Sequence, residues 1–344
     1  MHTTERRRAG AAFDVVAAPA RPHLDDAAVA NLLDLESVIH TQEAAFADLA
    51  TGDAASTLRS RAAAGGVMAS AMAAVVPRLG VAGAKVYATH AGRFTFHVVL
   101  WDLAGHLLCT LDGDALTAIR TPAASAIAIR RLAAPGASVA ALVGAGRQAL
   151  GHAEMLAHVL PLTELRVSGR RPAQVEELVR HLRDREVPAR AVDDPAAAVE
   201  GAEVVVTATA AAEPLFPAAA VSRQALICAV GATKADRCEV GPDSVARCAA
   251  VVVDSAEGSR AECGDLIRAA AADRFAWDRA VELAGVIAGT AHVPRAGEAG
   301  PVLFETQGVA LQDVAAAGLA WSRYRRGHAG ASFTPTPSDD REDT

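Results

Sequence analysis

The chain has 344 residues, with 33 Lys and Arg against 40 Asp and Glu, a formal charge of −7. With 51% hydrophobic and 21% charged residues it has enough apolar material for packed cores and about two domains, which excludes wholesale disorder. The acidic balance gives no general attraction for phosphate backbones, and 4% aromatics are too few for base-stacking platforms, so nucleic acid is not an expected partner. The most apolar stretch, residues 138–143, is far short of the ~20 residues a membrane-spanning helix needs, and no membrane is expected. Arg6, Arg7 and Arg8 are followed by Asp14 rather than an apolar h-region, so they read as a basic leader and not a secretion signal. The five cysteines (Cys109, Cys228, Cys238, Cys248, Cys263) are odd in number and form no C-x-x-C pair, which suits reduced thiols in a cytoplasmic protein.

In chain order, Ala28, Leu32, Leu35 and Ile39 recur from Asp25 onward at helical spacing and predict an amphipathic helix. Between Gly65 and Asp112, glycine turns alternate with short β-like runs at 86–87, 94–101 and 107–111, an antiparallel meander. A helix over 115–132 follows and closes before Pro135-Gly136. The rhythm then becomes strand and helix in alternation, with six candidate strands at 138–143, 164–168, 189–192, 204–208, 225–230 and 250–254. Short apolar runs spaced in this way predict an α/β fold with a parallel sheet covered on both faces. An extended run at Val302, Leu303 and Phe304 leads into a last helix over 308–324. The tail, rich in Pro, Ser, Thr and acid, is expected to be disordered.

The sharpest local pattern is an apolar strand running into Gly144-Ala145-Gly146-Arg147-Gln148-Ala149 and then a helix. Gly144 permits a tight turn, Gly146 lets backbone approach a pyrophosphate, and Ala149 lets the helix pack close to the sheet. The helix N-terminus offers free N–H groups and partial positive charge to phosphates. About 20 residues on, an NAD site normally places an acid at the ribose. Here the sequence is Val167-Ser168-Gly169-Arg170-Arg171-Pro172, and a hydroxyl with two guanidiniums suits a 2′-phosphate. NADP(H) is therefore expected, with NAD(H) the alternative. Thr207 and Ala208 after the fourth strand, and Val230 and Gly231 after the fifth, are expected along the same crevice.

Ahead of this unit stand isolated cations in apolar surroundings: Arg59, Lys85 and Arg120. A buried cation needs either a carboxylate of the protein or an anionic ligand, and the residues alone leave both open. The blocks Gly83-Ala84-Lys85-Val86, Leu116 to Thr121 with Ser125, Gly144 to Ala149 with His152, Ala229 to Thr233, Val253-Asp254-Ser255 and Phe304 to Asp313 together resemble the ornithine cyclodeaminase/mu-crystallin family. The resemblance covers roughly residues 55 to 325 and implies a Rossmann doubly wound sheet (131–307) inserted into an α+β substrate-binding and dimerisation domain (1–130 plus 308–330), with residues 331–344 a disordered tail. It implies a homodimer, with Arg59, Lys85 and Arg120 on the α-carboxylate of a small imino or amino acid. Gln148 falls near the cofactor phosphates, Thr306 and Gly308 near the nicotinamide, and Asp313 at a position that orients substrate or caps backbone.

Two departures bear on the reaction. Where cyclodeaminases carry a catalytic aspartate this chain has Thr233, and where they carry a glutamate it has Ser70. The resemblance therefore points to the ketimine reductase and amino-acid dehydrogenase members: hydride transfer at a C=N/CH–NH centre, with Lys85, Arg120 and Thr233 as catalytic residues. The alternatives are a cyclodeaminase that recycles its NAD and a non-catalytic NADP-binding protein. His97 is expected to line the substrate pocket. His90, His97, His152 and His158 form no compact ligand spacing, so no metal is expected. His152 and His158 are read as packing residues, and Cys263 as inert.

Overall fold

The computed structural model describes residues 21–327. The basic leader at Arg6, Arg7 and Arg8 and the tail 331–344 lie outside the described residues. After a short strand β1 (His23–Leu24), the carboxylate of Asp25 accepts the Ala28 N–H at 2.8 Å and starts α1 (Asp26–Leu32). Asp34 repeats the device on Ser37 at 2.9 Å and starts α2 (Leu35–Thr51). The single helix expected here is thus two. The second cap interrupts the backbone while Val29, Val38 and Ile39 remain buried.

The meander is β2 (Ala55–Ser56), β3 (Ser60–Ala64), β4 (Val67–Val76), β5 (Val81–His90), β6 (Arg93–Asp102) and β7 (Leu107–Asp112). Its order is β1-β7-β6-β5-β4-β2, with β3 also paired to β4 and β1 added parallel at the edge. Residues alternate across this sheet. Met72, Ala74 and Val76 of β4 and Val81, Gly83 and Lys85 of β5 point inward. Val67, Ala69, Ala71, Ala73 and Val75, with Ala82, Ala84, Val86 and Ala88, form the outer face. A long helix, α3 (Asp114–Leu132), leads out of the meander; its Ala123, Ala124, Ala126, Ile127 and Ala128 are fully buried.

The second sheet alternates with helices: β8 (Val139–Val143), α4 (Ala149–Val159), β9 (Glu164–Ser168), α5 (Pro172–Arg183), β10 (Ala189–Ala191), α6 (Pro195–Val199), β11 (Val204–Thr207) and β12 (Leu226–Ala229). There follow α7 (Pro242–Arg247), β13 (Ala250–Val253), α8 (Ala256–Glu262), α9 (Gly264–Ala271), β14 (Ala280–Glu282), α10 (Leu283–Ala288), β15 (Val302–Glu305) and α11 (Ala310–Gly327). All pairs are parallel, in the order β10-β9-β8-β11-β12-β15-β13-β14. The six expected strands are present. The extended run at Val302 becomes a seventh strand, fully buried between β12 and β13, and β14 adds an edge. The order reverses between β8 and β11, the switch point where ligands of such sheets bind.

Leu142, Val206, Cys228 and Phe304 pack on one face of this sheet, and Ala141, Val205, Ile227 and Leu303 on the other, so both faces are covered. The first of these cores runs on through α3 to the meander. There α11 closes the inner face, with Val314 lying against Gly83 of β5. No described helix is long and apolar enough to cross a membrane.

Candidate functional site

A cleft of about 770 Å³ opens where the C-terminal ends of the parallel strands face the inner side of the meander. Gly144, at the end of β8, has φ +130°, and its N–H donates to the Ser168 carbonyl at 2.8 Å. A Cβ there would lie 2.6 Å from the Ala208 carbonyl oxygen, so no other residue fits this turn. A Cβ on Gly146 would meet nothing within 4 Å, which leaves room for a ligand to approach the backbone. Ala145, Arg147 and Gln148 line the same wall, and the Gln148 Oε1 is buried without a partner. So is Oε1 of Gln174, in the first turn of α5. Arg170 and Arg171 line the cleft beside it, and their guanidiniums have no protein partner among the described residues. Free guanidiniums and an open glycine turn suit the phosphates of a dinucleotide, and the unpaired amide oxygens can accept from its hydroxyl or amino groups.

Ala208, Val230, Gly231, Thr233, Thr306 and Gly308 also line the cleft. Ser168 and Thr207, expected here, do not. Each ends its strand with the side chain fully buried: Ser168 donates to the Asp193 carbonyl at 3.5 Å and Thr207 to Glu239 at 3.0 Å. The residues that follow them, Gly169 and Ala208, meet the cleft instead. Thr306 and Gly308 arrive because β15 is central. The Thr306 hydroxyl and the Gly308 N–H both donate to Asp254 Oδ2, at 2.7 and 2.8 Å. Burial raises the Asp254 carboxyl above its ordinary range, and these donors moderate the rise.

In the other half of the cleft, Lys85 is 1% exposed. Its Nζ donates to Asp313 Oδ1 and to Thr117 Oγ1, both at 2.8 Å, and lies 4.5 Å from the Phe96 ring centre. Arg120 donates through Nε to the same Asp313 oxygen at 3.0 Å and through Nη1 to Gln312 at 2.7 Å. Arg59 and Arg61 share Glu262, one on each oxygen. Arg59 also donates to the carbonyls of Gln307 and Gly308, at 3.0 and 2.8 Å. The cations are therefore partly compensated from within. Asp313 and Glu262 answer four cations, and two positive charges remain for a ligand.

Burial pulls the Lys85 ammonium down to about 8; Asp313 opposes this, and the charges of Arg120 and Arg59 add to it. For Asp313 burial alone would raise the carboxyl, but Arg120 and Lys85 hold it below its ordinary value. Asp313 does not reach the cleft; it sits beneath the two cations and orients them. Nor does His97 reach it. Lys85 pairs with Val98, so His97, one residue earlier, takes the outer face opposite Val86 and lies 3.3 Å from Asp112.

The sequence reading missed the wall facing these cations. Tyr87 and the pair Phe94 and Phe96 cluster with ring centres 5.0 to 6.3 Å apart, and Met68 and Met72 extend the wall. The i, i+2 spacing of Lys85 with Tyr87, and of Phe94 with Phe96, was the available signal. Arg61 and Lys234 line the cleft as well. His152 is buried between α4 and α3, with Nδ1 2.8 Å from the Gln148 carbonyl and Nε2 3.2 Å from Ser125; burial pulls it down to about 4. All five cysteines are buried and unpaired, and burial raises the Cys263 thiol well above its ordinary value.

The family model described as the ornithine cyclodeaminase/mu-crystallin family matches residues 23–328. The chain is 35% identical over 233 residues to the ketimine reductase mu-crystallin of Mus musculus, covering 67% of this chain and 70% of that protein. The probable ornithine cyclodeaminase from Bordetella pertussis Tohama I superposes with a TM-score of 0.85 at 37% identity, over 92% of this chain and all (100%) of that one. The Delta(1)-pyrroline-2-carboxylate reductase of Thermococcus litoralis, solved with NADH and L-proline, gives 0.84 at 25% identity, over 89% of this chain and 98% of that one. With the match running along nearly all the described residues, the chain belongs to the ornithine cyclodeaminase/mu-crystallin family.

Proposed function

We propose that the protein is an NAD(P)H-dependent reductase of the C=N bond of a small imino acid, or in reverse a dehydrogenase of the corresponding amino acid. The observation that carries this reading is the surplus of two positive charges on the Arg59, Arg61, Lys85 and Arg120 cluster, facing the glycine turn across one cleft. The relatives named ketimine reductase and pyrroline-2-carboxylate reductase support it. In this reading the substrate carboxylate is held by Arg120 and by Arg59, the latter exchanging its bonds to the Gln307 and Gly308 carbonyls for the ligand. Lys85 completes the clamp and gives a proton to the substrate nitrogen, a role suited to an ammonium that titrates near 8. Thr233 hydrogen-bonds that nitrogen. The Met68, Met72, Tyr87, Phe94 and Phe96 wall takes an apolar or cyclic side chain. The coenzyme supplies the hydride to Cα.

A cyclodeaminase would need carboxylates near the substrate amines. Ser70 and Thr233 stand at those positions, and Glu262 is engaged by two arginines. The deciding experiment follows absorbance at 340 nm with cyclic ketimines, and with α-keto acids plus ammonia or methylamine. Net coenzyme oxidation is expected. Ammonia release from ornithine or lysine with no net change would overturn the reading.

The coenzyme preference we propose is NADP(H), on the unpartnered guanidiniums of Arg170 and Arg171. Replacing both with Ala is expected to raise the KM for NADPH about 10- to 100-fold and to leave that for NADH nearly unchanged. Equal losses for both coenzymes would contradict the assignment.

We also propose a homodimer. The outer face of β4 and β5 is apolar up to His90 at its end, with Val67, Val75 and Val86 exposed, a surface that soluble chains rarely leave uncovered. Light scattering on the eluting protein should report twice the chain mass of 35.2 kDa; a monomer mass would rule the dimer out.

A further inference from the structure

Beneath the coenzyme half of the cleft lies a carboxylate with no part in the proposed chemistry. Glu239, between β12 and α7, is fully buried, and its oxygens accept from three donors. Oε1 takes the Thr209 N–H at 2.6 Å; Oε2 takes the Gly231 N–H at 2.6 Å and the Thr207 hydroxyl at 3.0 Å. Thr207 ends β11, and Gly231 lies just past β12, so one side chain ties together the ends of adjacent central strands. The two turns are in close contact: a Cβ on Gly231 would lie 2.0 Å from the Thr209 carbonyl oxygen. Thr209, Ala210, Val230 and Gly231 are themselves cleft wall.

We propose that Glu239 is a positioning residue for the coenzyme seat, clasping the turns after β11 and β12 at the spacing the bound dinucleotide requires. This rests on the coenzyme reading above. The clasp depends on charge. A carboxylate accepts from both backbone amides with charged oxygens, whereas in the protonated acid the Thr207 hydroxyl must reverse to take the proton and the Gly231 N–H is left on a neutral hydroxyl oxygen, a weaker acceptor. The groups facing Glu239 are acidic: Asp265 on α9, which also accepts the Glu239 N–H at 2.7 Å, and Glu305 on β15. The thiol of Cys238 adjoins in sequence, and that of Cys263 lies beside Glu305. Arg268 of α9 is turned to Glu213 at the surface. The end of β11 and the turns after β11 and β12 present Thr207, Thr209 and Gly231 to it, none of them charged. Burial first, then Asp265, pushes Glu239 up to about 7. The carboxylate form, and with it the intact clasp, is favoured as the pH rises through that value.

The test is calorimetric titration of NADPH and NADH into the whole wild-type chain and into Glu239→Gln at pH 6, 7 and 8.5. Wild-type affinity for both coenzymes is expected to weaken several-fold toward pH 6. Glu239→Gln should bind about tenfold more weakly at pH 8.5, reflecting one lost amide bond, and should lose the pH slope for NADH. A variant that melts lower but binds with wild-type affinity and slope would show a merely structural role and overturn the proposal. If the variant does not fold, a wild-type NADH affinity flat across this range overturns it equally. Failure of the wild type to bind either coenzyme at pH 8.5 would defeat the coenzyme reading itself, and this inference with it.

Discussion

Lys85→Ala is expected to lower kcat by about a thousandfold or more while NADPH binds as tightly as before. The ammonium sits 2.8 Å from both Asp313 and Thr117, under the Phe96 ring and away from the glycine turn, so its loss should touch the substrate and not the coenzyme. Asp313 keeps Arg120 as a partner, so the fold should survive. Because burial brings Lys85 to about 8, the wild type should also show kcat/KM level below that pH and falling about tenfold per unit above it, as the proton donor is lost. Undiminished turnover in the variant would remove Lys85 from the chemistry. A loss of NADPH affinity comparable to the loss in kcat would mean that it acts through the coenzyme site.

Asp313→Ala should act mainly on stability. Asp313 is fully buried and answers Lys85 and Arg120 together; without it, two nearly buried cations face each other with no acid. Breaking a buried pair from one side costs about 3–5 kcal/mol, and the thermal midpoint should fall by about 5 °C or more. Asp313 is held below the ordinary carboxylate range, so its stabilising effect is present above that range and is lost as the pH falls through its lowered value. Scanning calorimetry at pH 7 checks the first point. A midpoint within a degree of wild type would show that the cations reach water or another acid when Asp313 is gone.

The parts of this architecture legible in the sequence are those encoded locally. The strand, glycine turn and helix around Gly144 lie within one short stretch, and the chemistry of each position is set by its neighbours. Partners distant in sequence were not legible. Lys85 and Asp313 are 228 residues apart, and Arg59 and Glu262 are 203 apart, so nothing near either cation indicated that a carboxylate would meet it. The burial of Asp313 beneath the clamp, rather than against the substrate, follows from α11 packing onto the inner face of the meander. His97 was misplaced for a related reason. Alternation fixes which residues share a face but not which face is buried, and that depends on the register joining β5 to β6. Ser168 and Thr207 sit at the expected strand ends, yet their side chains turn into the covered faces. Val302 to Phe304 reads in the sequence as an extended run before the last helix, and parallel pairing on both edges makes Val302–Glu305 the strand that delivers Thr306 and Gly308.

A crystal structure of the protein with NADPH and a planar cyclic carboxylate such as pyrrole-2-carboxylate would examine the carboxylate clamp directly. The account predicts the carboxylate within hydrogen-bonding distance of Arg59, Lys85 and Arg120, its adjacent ring carbon facing the nicotinamide, and the ring against Tyr87 and Phe96. A carboxylate bound elsewhere, with those three side chains still engaged only by groups of the protein, would contradict it.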